Sequence, residues 1–290
     1  MFLTTTDLYV CTGPDPEGPR ERINTTDVQM HLDWVPEFEA TLNPGSVYLL
    51  EFGFNGDGTA EYIGNLTSPE AESCPPALTF PGPIGPQQDA EWLKPVGTGV
   101  SMWPSDTTYD WTAACLNLDP LVEFFQDTTK RDSVAWCSHT FTHENLENAT
   151  YFDAYNQIYY NYRQAQVMGL ANAAMWSNQT FIPPAISGMH NGDALHAFME
   201  NGIIGGVGDS TRPVLLNPNN TNWPLITTVA GNGYAGYTII PRWATRIYYN
   251  VYFDSPFTAN LVAINMKQRK NGGYSILMKP MAQQGIFTRC

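Results

Sequence analysis

Apolar positions along this chain recur with two different periods, and stretches of one alternate with stretches of the other. Between Thr26 and Leu42 the period is helical: Met30, Trp34, Phe38 and Leu42 share a face, Thr26 or Asp27 can cap it, and Asn43-Pro-Gly45 ends it. Ser46-Val-Tyr-Leu-Leu-Glu-Phe-Gly53 follows as a buried strand. Asp119 to Thr128 is a short helix with Leu121, Phe124 and Phe125 inward, and Asp132-Ser-Val-Ala-Trp136 is a short apolar run suited to another buried strand. Asp153 to Leu170 reads as an amphipathic helix, with Tyr155, Ile158, Tyr159, Tyr162, Ala165 and Gln166 at helical spacing. Asp193 to Asn201 is a further helix, ended by Gly202 and followed by Ile203-Ile204; Tyr237-Thr-Ile-Ile240 is strand-like. Strands alternating with helices in this way predict an α/β sheet or barrel.

Punctuation between these elements sets the domain organisation. Ser68 to Gly99 is dense in Pro and Gly and is expected to be a long surface loop, because the periodic segments on both sides read as parts of one fold. Asn55-Gly-Asp-Gly58 resembles a fragment of a calcium loop but lacks the later glutamate, and is expected to be a turn. One domain is therefore expected over residues 1–264. Beyond it, residues 265–290 change character and turn basic in Lys267-Gln-Arg-Lys-Asn-Gly-Gly273.

At 290 residues, 43% apolar and 13% aromatic, the chain has ample material for a large core. Its 28 acidic and 14 basic residues leave a net charge of −14, which disfavours nucleic-acid binding, since phosphate recognition needs basic patches. No run of 18 apolar residues exists, so no transmembrane helix is expected. Met1 to Val10 lacks the positive start and apolar centre of a signal peptide. Two features nonetheless favour a location outside the cytosol. Asn24, Asn65, Asn148, Asn178 and Asn219 each begin an N-x-Thr glycosylation sequon. Cys11, Cys74, Cys115 and Cys137 allow two disulfides in three possible pairings, with Cys290 the odd one.

Candidate chemistry concentrates in Ser138-His-Thr-Phe-Thr-His-Glu-Asn-Leu146, which holds two of the five histidines, four residues apart. On a strand His139 and His143 would lie about 13 Å apart. On a helical turn, or a tight turn leaving a strand, they come within roughly 6 Å and can share one metal ion as neutral imidazoles. The strand before and the helix after them put the pair at a strand's carboxyl end, where α/β folds place their chemistry. An HExxH metallopeptidase is disfavoured, because Thr140 stands where its glutamate would be. Substrate-contact candidates are His190 and Asn191, in a loop between Gly188 and Gly192; Asp209 and Arg212, as a charge pair orienting a site carboxylate; and Arg242, which with Arg246 flanks Trp243 in an arrangement suited to stacking on a sugar.

Ser138-His-Thr-Phe-Thr-His-x-x-Leu146 resembles the metal-binding segment of NodB-type polysaccharide deacetylases, and Phe181-Ile-Pro-Pro184 their F-R-P-P segment, with Ile182 in place of arginine. The stretches Ile186–Leu195, Gly208–Leu215 and Ile240–Asn250 are similar to the fungal secreted galactosaminogalactan deacetylases. The resemblance implies a distorted (β/α) barrel and a metal-dependent hydrolase, zinc being the expected ion, that removes acetyl from N-acetylgalactosamine units of a polymer outside the cell or in its wall. It also implies an Asp-Asp pair ending the first strand and a catalytic histidine in a late strand. Met1 to Tyr9 is expected to correspond to residues just after that pair, and no histidine follows His196. Asp7, near the start of a first strand, and His190 are then the only candidates for base and acid, and the chain as written is expected to lack groups that turnover requires. Two other readings compete: a different metal-dependent hydrolase, and a non-catalytic carbohydrate-binding protein using its Trp and Tyr side chains as platforms.

Overall fold

The computed structural model describes residues 2–8, 21–78, 91–105, 108–242 and 288–289. Their framework is a seven-stranded sheet of β1 (Phe2–Leu8), β3 (Tyr48–Phe54), β4 (Ala135–Ser138), β5 (Trp176–Phe181), β6 (Gly205–Val207), β8 (Thr238–Ile240) and β7 (Leu225–Ile226), in that spatial order. Every pairing is parallel except the last, β7 against β8. β2 (Glu21–Arg22) pairs apart with β9 (Thr288–Arg289). Among the described residues β1 and β7 are the sheet's two edges. β3 pairs directly with β4, Glu51 opposite Ala135, so the sheet continues across the long 68–99 segment and does not divide there. Among the described residues no helix is long and apolar enough to cross a membrane.

The helical period of the first segment yields α1 (Thr25–Glu39), whose cap is Asn24 rather than Thr26 or Asp27. Asn24 Oδ1 accepts from Thr26 and Asp27 backbone N–H, while Asp27 returns a bond to Asn24 N–H, a reciprocal capping box. Tyr48, Leu50, Phe52 and Phe54 alternate inward along β3 into a cluster with Trp136 of β4 and Phe125 beside α5 (Pro120–Phe124). There Phe125 meets Trp136 edge-on at 4.7 Å, a favoured aromatic geometry. Two short helices, α4 (Ala113–Leu116) and α6 (Thr128–Arg131), flank α5, so the single helix expected over 119–128 is broken in two. A second cluster packs α7 (Tyr151–Val167) and α8 (Gly192–Glu200) over β5, β6 and β8 through Ile158, Phe198, Phe181 and Tyr237.

Asn55-Gly-Asp-Gly58 is not a turn. It opens α2 (Gly56–Gly64), with the Asn55 amide turned toward the His139 and Thr140 carbonyls instead of capping, and Gly56 must be bare: a Cβ there would lie 2.6 Å from the Phe141 ring. α3 (Pro69–Glu72) follows, then Cys74, which is bridged to Cys115. Of the pairings the first four cysteines allow, the described residues show Cys74–Cys115, and Cys137 is buried inside β4. Beyond Cys74, the chain returns at Lys94, whose fully buried ammonium pairs with Asp193 at 2.5 Å and pins this segment to the first turn of α8. The last α-helix among the described residues is α9 (Val229–Asn232), between β7 and β8. Cys11, Cys290, Trp243, Arg246 and the basic segment 267–273 lie outside the described residues.

Candidate metal centre

β4 ends at Ser138, and the backbone then leaves the sheet in a tight turn rather than a helix. Thr140 (φ 68°) and His143 (φ 60°) both sit in the left-handed region, a conformation that costs non-glycine residues on the order of 1–3 kcal/mol and is held only where surroundings enforce it. The result brings the two imidazoles together, ring centroids 4.8 Å apart and planes at 70°. Imidazoles sharing a tetrahedral ion through bonds of about 2.0–2.1 Å have centroids about 5 Å apart, so the pair fits one ion. His139 is 2% exposed, and its Nδ1 lies 2.6 Å from the Ile182 carbonyl, which can only accept. Nδ1 therefore carries the proton and Nε2 the lone pair, the tautomer a metal ligand needs, oriented as ligating histidines are by a backbone carbonyl.

The surroundings that enforce this turn come from elements far away in the chain. Asn55 Nδ2 donates to the His139 and Thr140 carbonyls at 2.5 and 2.8 Å. From α7, Asn161 donates to Phe54 O and Ser138 Oγ and accepts from Gly56 N–H. Gln157 accepts from Thr142 N–H and donates to Thr142 Oγ1 and to Glu144 Oε2; Gln164 donates to Gly56 O. The amphipathic reading of α7 is thus corrected. Tyr159 and Tyr162 are exposed, and its buried face carries Asn156, Gln157, Asn161 and Gln164 beside Ala154, Ile158 and Ala165. Gln157 and Asn161 face inward against the apolar period because the irregular turn presents backbone donors and acceptors that must be met, and Gln164 meets Gly56 O.

Asp7 stands near the end of β1, not near its start. The parallel register sets it level with Gly53 of β3, which in turn stands level with Cys137, two residues before His139. A Cβ on Gly53 would lie 2.9 Å from the His139 Cβ, so only glycine leaves room for that imidazole beside the strand. Among the described residues no third His, Cys, Asp or Glu joins the two histidines as a ligand set. Glu144, which the sequence reading passed over, is buried next to His143, and burial pushes its carboxyl up to about 7 against the opposing hydrogen bond from Gln157.

The remaining candidates hold loops. His190 directs both ring nitrogens at carbonyls, Trp92 O at 3.0 Å and Gly231 O at 2.7 Å, which commits it to joining two loops. Asn191 is fully buried: its Oδ1 caps α8 and its Nδ2 donates to Leu146 O and Ala149 O, so no hydrogen-bonding capacity faces a substrate. Asp209 and Arg212 do not pair. Asp209 accepts from Thr211 N–H and hydroxyl within its own turn, while Arg212 bridges to Glu147 at 3.0 Å and donates to the Ala185 and Ile186 carbonyls. Ala185 and Ile186 are again left-handed (φ 48° and 57°), just beyond the Ile182 carbonyl that orients His139. Burial pushes the Glu147 carboxyl up, with Arg212 opposing. Arg242 Nε donates to Gly208 O at 3.1 Å. Of the tryptophans, Trp103 and Trp111 are core residues, and Trp223 is 59% exposed.

The sequence description of the Agd3 deacetylase domain matches residues 2–286. Among solved structures, the chain is similar to one described as the crystal structure of Agd3, a novel carbohydrate deacetylase, at 39% identity and a TM-score of 0.84. The similarity covers 92% of this chain and 43% of that one, so this chain spans less than half the length of its solved relative. No curated protein matches.

Proposed function

This chain belongs to the Agd3 deacetylase family, the galactosaminogalactan deacetylase group its motifs resemble. On that premise we propose that it is the hydrolytic domain of a metal-dependent polysaccharide N-deacetylase acting on a polymer that contains N-acetylgalactosamine. The observation that carries the reading is the His139–His143 pair, with ring centroids 4.8 Å apart and the His139 tautomer set by Ile182 O, at the carboxyl end of a parallel sheet. In this reading His139 and His143 supply two ligands and Asp7 the carboxylate of the site, because the strand register sets it level with Gly53 beside His139. Zinc suits two imidazoles and a carboxylate, and when bound there it supplies Lewis acidity toward an acetyl carbonyl and lowers the pKa of water. Ile182 O holds the proton on His139 Nδ1, Gln157 and Asn161 keep the turn from relaxing, and Arg212 holds the strained 185–186 carbonyls that shape the adjoining wall. The seven-stranded sheet corresponds in this reading to part of the wall of a distorted (β/α) barrel.

Extracellular glycosylation belongs to the same proposal. Asn65, Asn178 and Asn219 are exposed, and so offer acceptor amides to a glycosyltransferase, whereas Asn24 is committed to the α1 cap and Asn148 is half-buried. Secretion from a eukaryotic host should therefore add glycans at these three sites, read as mass lost on enzymatic deglycosylation. The activity itself is tested by acetate release from an N-acetylgalactosamine polymer. With Asp7 in that place the role still vacant is the acid, so the chain should release acetate more slowly than with an acid in place, lose activity to a chelator and regain it with zinc. Asp7→Asn, His139→Ala and His143→Ala should each lower the rate by at least about 100-fold. Equal rates in all three variants would refute the site.

A further inference from the structure

α7 is turned inside out relative to an ordinary surface helix. Its amides Gln157, Asn161 and Gln164 face inward, while Tyr151, Tyr155 and Tyr159, spaced four apart, run along the opposite side. The rings continue onto α8 and beyond as a row. Tyr234 stacks on His196 at 5.0 Å and 16°, and His196 lies 5.2 Å from Tyr151. Tyr151 lies 5.9 Å from Tyr155, and Tyr155 lies 6.0 Å from Tyr159 with planes 20° apart. Tyr159 is 41% exposed, and the other four rings are half-buried. The site needs the amides inside; on the other side Tyr151, Tyr155 and Tyr234 pack in part against the second cluster, and Tyr159 is the ring most open to solvent.

A carboxylate completes the row. Glu200 accepts from the Tyr151 hydroxyl and lies 3.3 Å from His196 Nε2, and this contact pushes the Tyr151 phenol up to about 12. The chain as a whole carries −14. Aromatic faces and carboxylates together bind a partner with apolar ring faces and positive charges. Tyr151, the first ring of the row on this helix, opens α7 eight residues after His143.

We propose that the row formed by Tyr151, Tyr155, Tyr159, His196, Tyr234 and Glu200 is a binding surface for an aminosugar polymer in its deacetylated, cationic form. This rests on the reading of the chain as an aminosugar N-deacetylase, whose reaction turns a neutral acetamide into an ammonium. The surface then holds the product stretch of the polymer while acetylated units occupy the metal centre. Favouring the product charge over the substrate is what distinguishes this row from a general sugar platform.

The test compares binding of the full chain to soluble chitosan and to the same polymer after chemical N-acetylation, by calorimetry. The parent should bind the cationic form about tenfold more tightly, and added salt should weaken that binding. Tyr155→Ala/Tyr159→Ala should lose about tenfold in chitosan affinity, melt lower because Tyr155 packs in part against the second cluster, and, well below its midpoint, release acetate from a short N-acetylated oligomer at the parent rate. The Tyr155→Phe/Tyr159→Phe variant should bind as the parent does, since the ring faces remain, and Glu200→Gln should weaken binding without removing a ring. Unchanged affinity in the alanine double variant, or tighter binding of the acetylated polymer, overturns the proposal. A chain that binds chitosan through these tyrosines yet releases no acetate from any aminosugar overturns the catalytic reading alone; intact acetate release without the tyrosine-dependent binding overturns this one alone.

Discussion

Asp57 is the residue whose charge fits its surroundings least. It is 3% exposed in the first turn of α2, and burial pushes its carboxyl up to about 8, with Glu61 adding to the rise and the Leu78 N–H opposing it. The folded chain therefore keeps a proton that the unfolded chain gives up near the ordinary value of 3.8. Stability linked to this group is complete in acid and is lost as pH rises toward the folded value, by about 1.4 kcal/mol per pH unit at most. Asp57→Asn should flatten the dependence of the urea midpoint on pH between about pH 5 and pH 8; a slope equal to the parent's would assign the proton elsewhere. Such a residue was invisible in the sequence, where Asn55-Gly-Asp-Gly58 offered only turn formers. His139 and His143 were legible for the opposite reason: the chain itself brings them together, within one turn after a strand. That Asp7 stands level with Gly53 required the β1 register, and the burial of Glu144 required knowledge of what covers it.

At the scale of elements, periodicity recovered α1, β3 and α8 to within a few residues and misplaced what depends on partners. β5 was missed because Trp176-Ser-Asn-Gln-Thr-Phe181 has apolar residues only at its ends, and its pairing with β4 and β6 supplies what its side chains do not. The α7 face was misread because tyrosine counts as apolar in a pattern search, whereas buried glutamine and asparagine declare themselves only when a turn to bond is present. Those amides make a prediction about the helix as a support. Gln157→Ala removes the bonds to Thr142 and Glu144 that flank His143, and should cost about 1–3 kcal/mol of stability while lowering zinc affinity about 10- to 100-fold. Zinc titration against a chromophoric chelator checks it. An unchanged affinity with the same stability loss would show that α7 supports the fold but not the site.

On the scale of the whole molecule, two aromatic-rich clusters flank a mostly parallel sheet, and the polar turns at its carboxyl end converge on one pair of imidazoles. The fold is α/β, and β3 and β4, on either side of the 68–99 segment, are direct neighbours in its sheet. What keeps so long an excursion attached is a separate matter. One tie is the Cys74–Cys115 bridge, spanning 41 residues, and another is Lys94, whose buried ammonium reaches Asp193. A cross-link closing a loop of this length restricts the unfolded chain by about 4 kcal/mol on chain-entropy grounds, which for a protein of this size is a midpoint shift of about 10 °C. Cys74→Ser/Cys115→Ser should therefore melt about 10 °C lower than the parent. Zinc affinity at 25 °C should be unchanged, because the hydrogen bonds described at the His139 turn come from Asn55, Gln157 and Asn161. Thermal melts of the two proteins, with zinc titrations beside them, measure both quantities. A lower zinc affinity in the double variant would mean that the excursion helps to position the metal centre, and the division between a sheet that carries the chemistry and a tether that only stabilises it would be wrong.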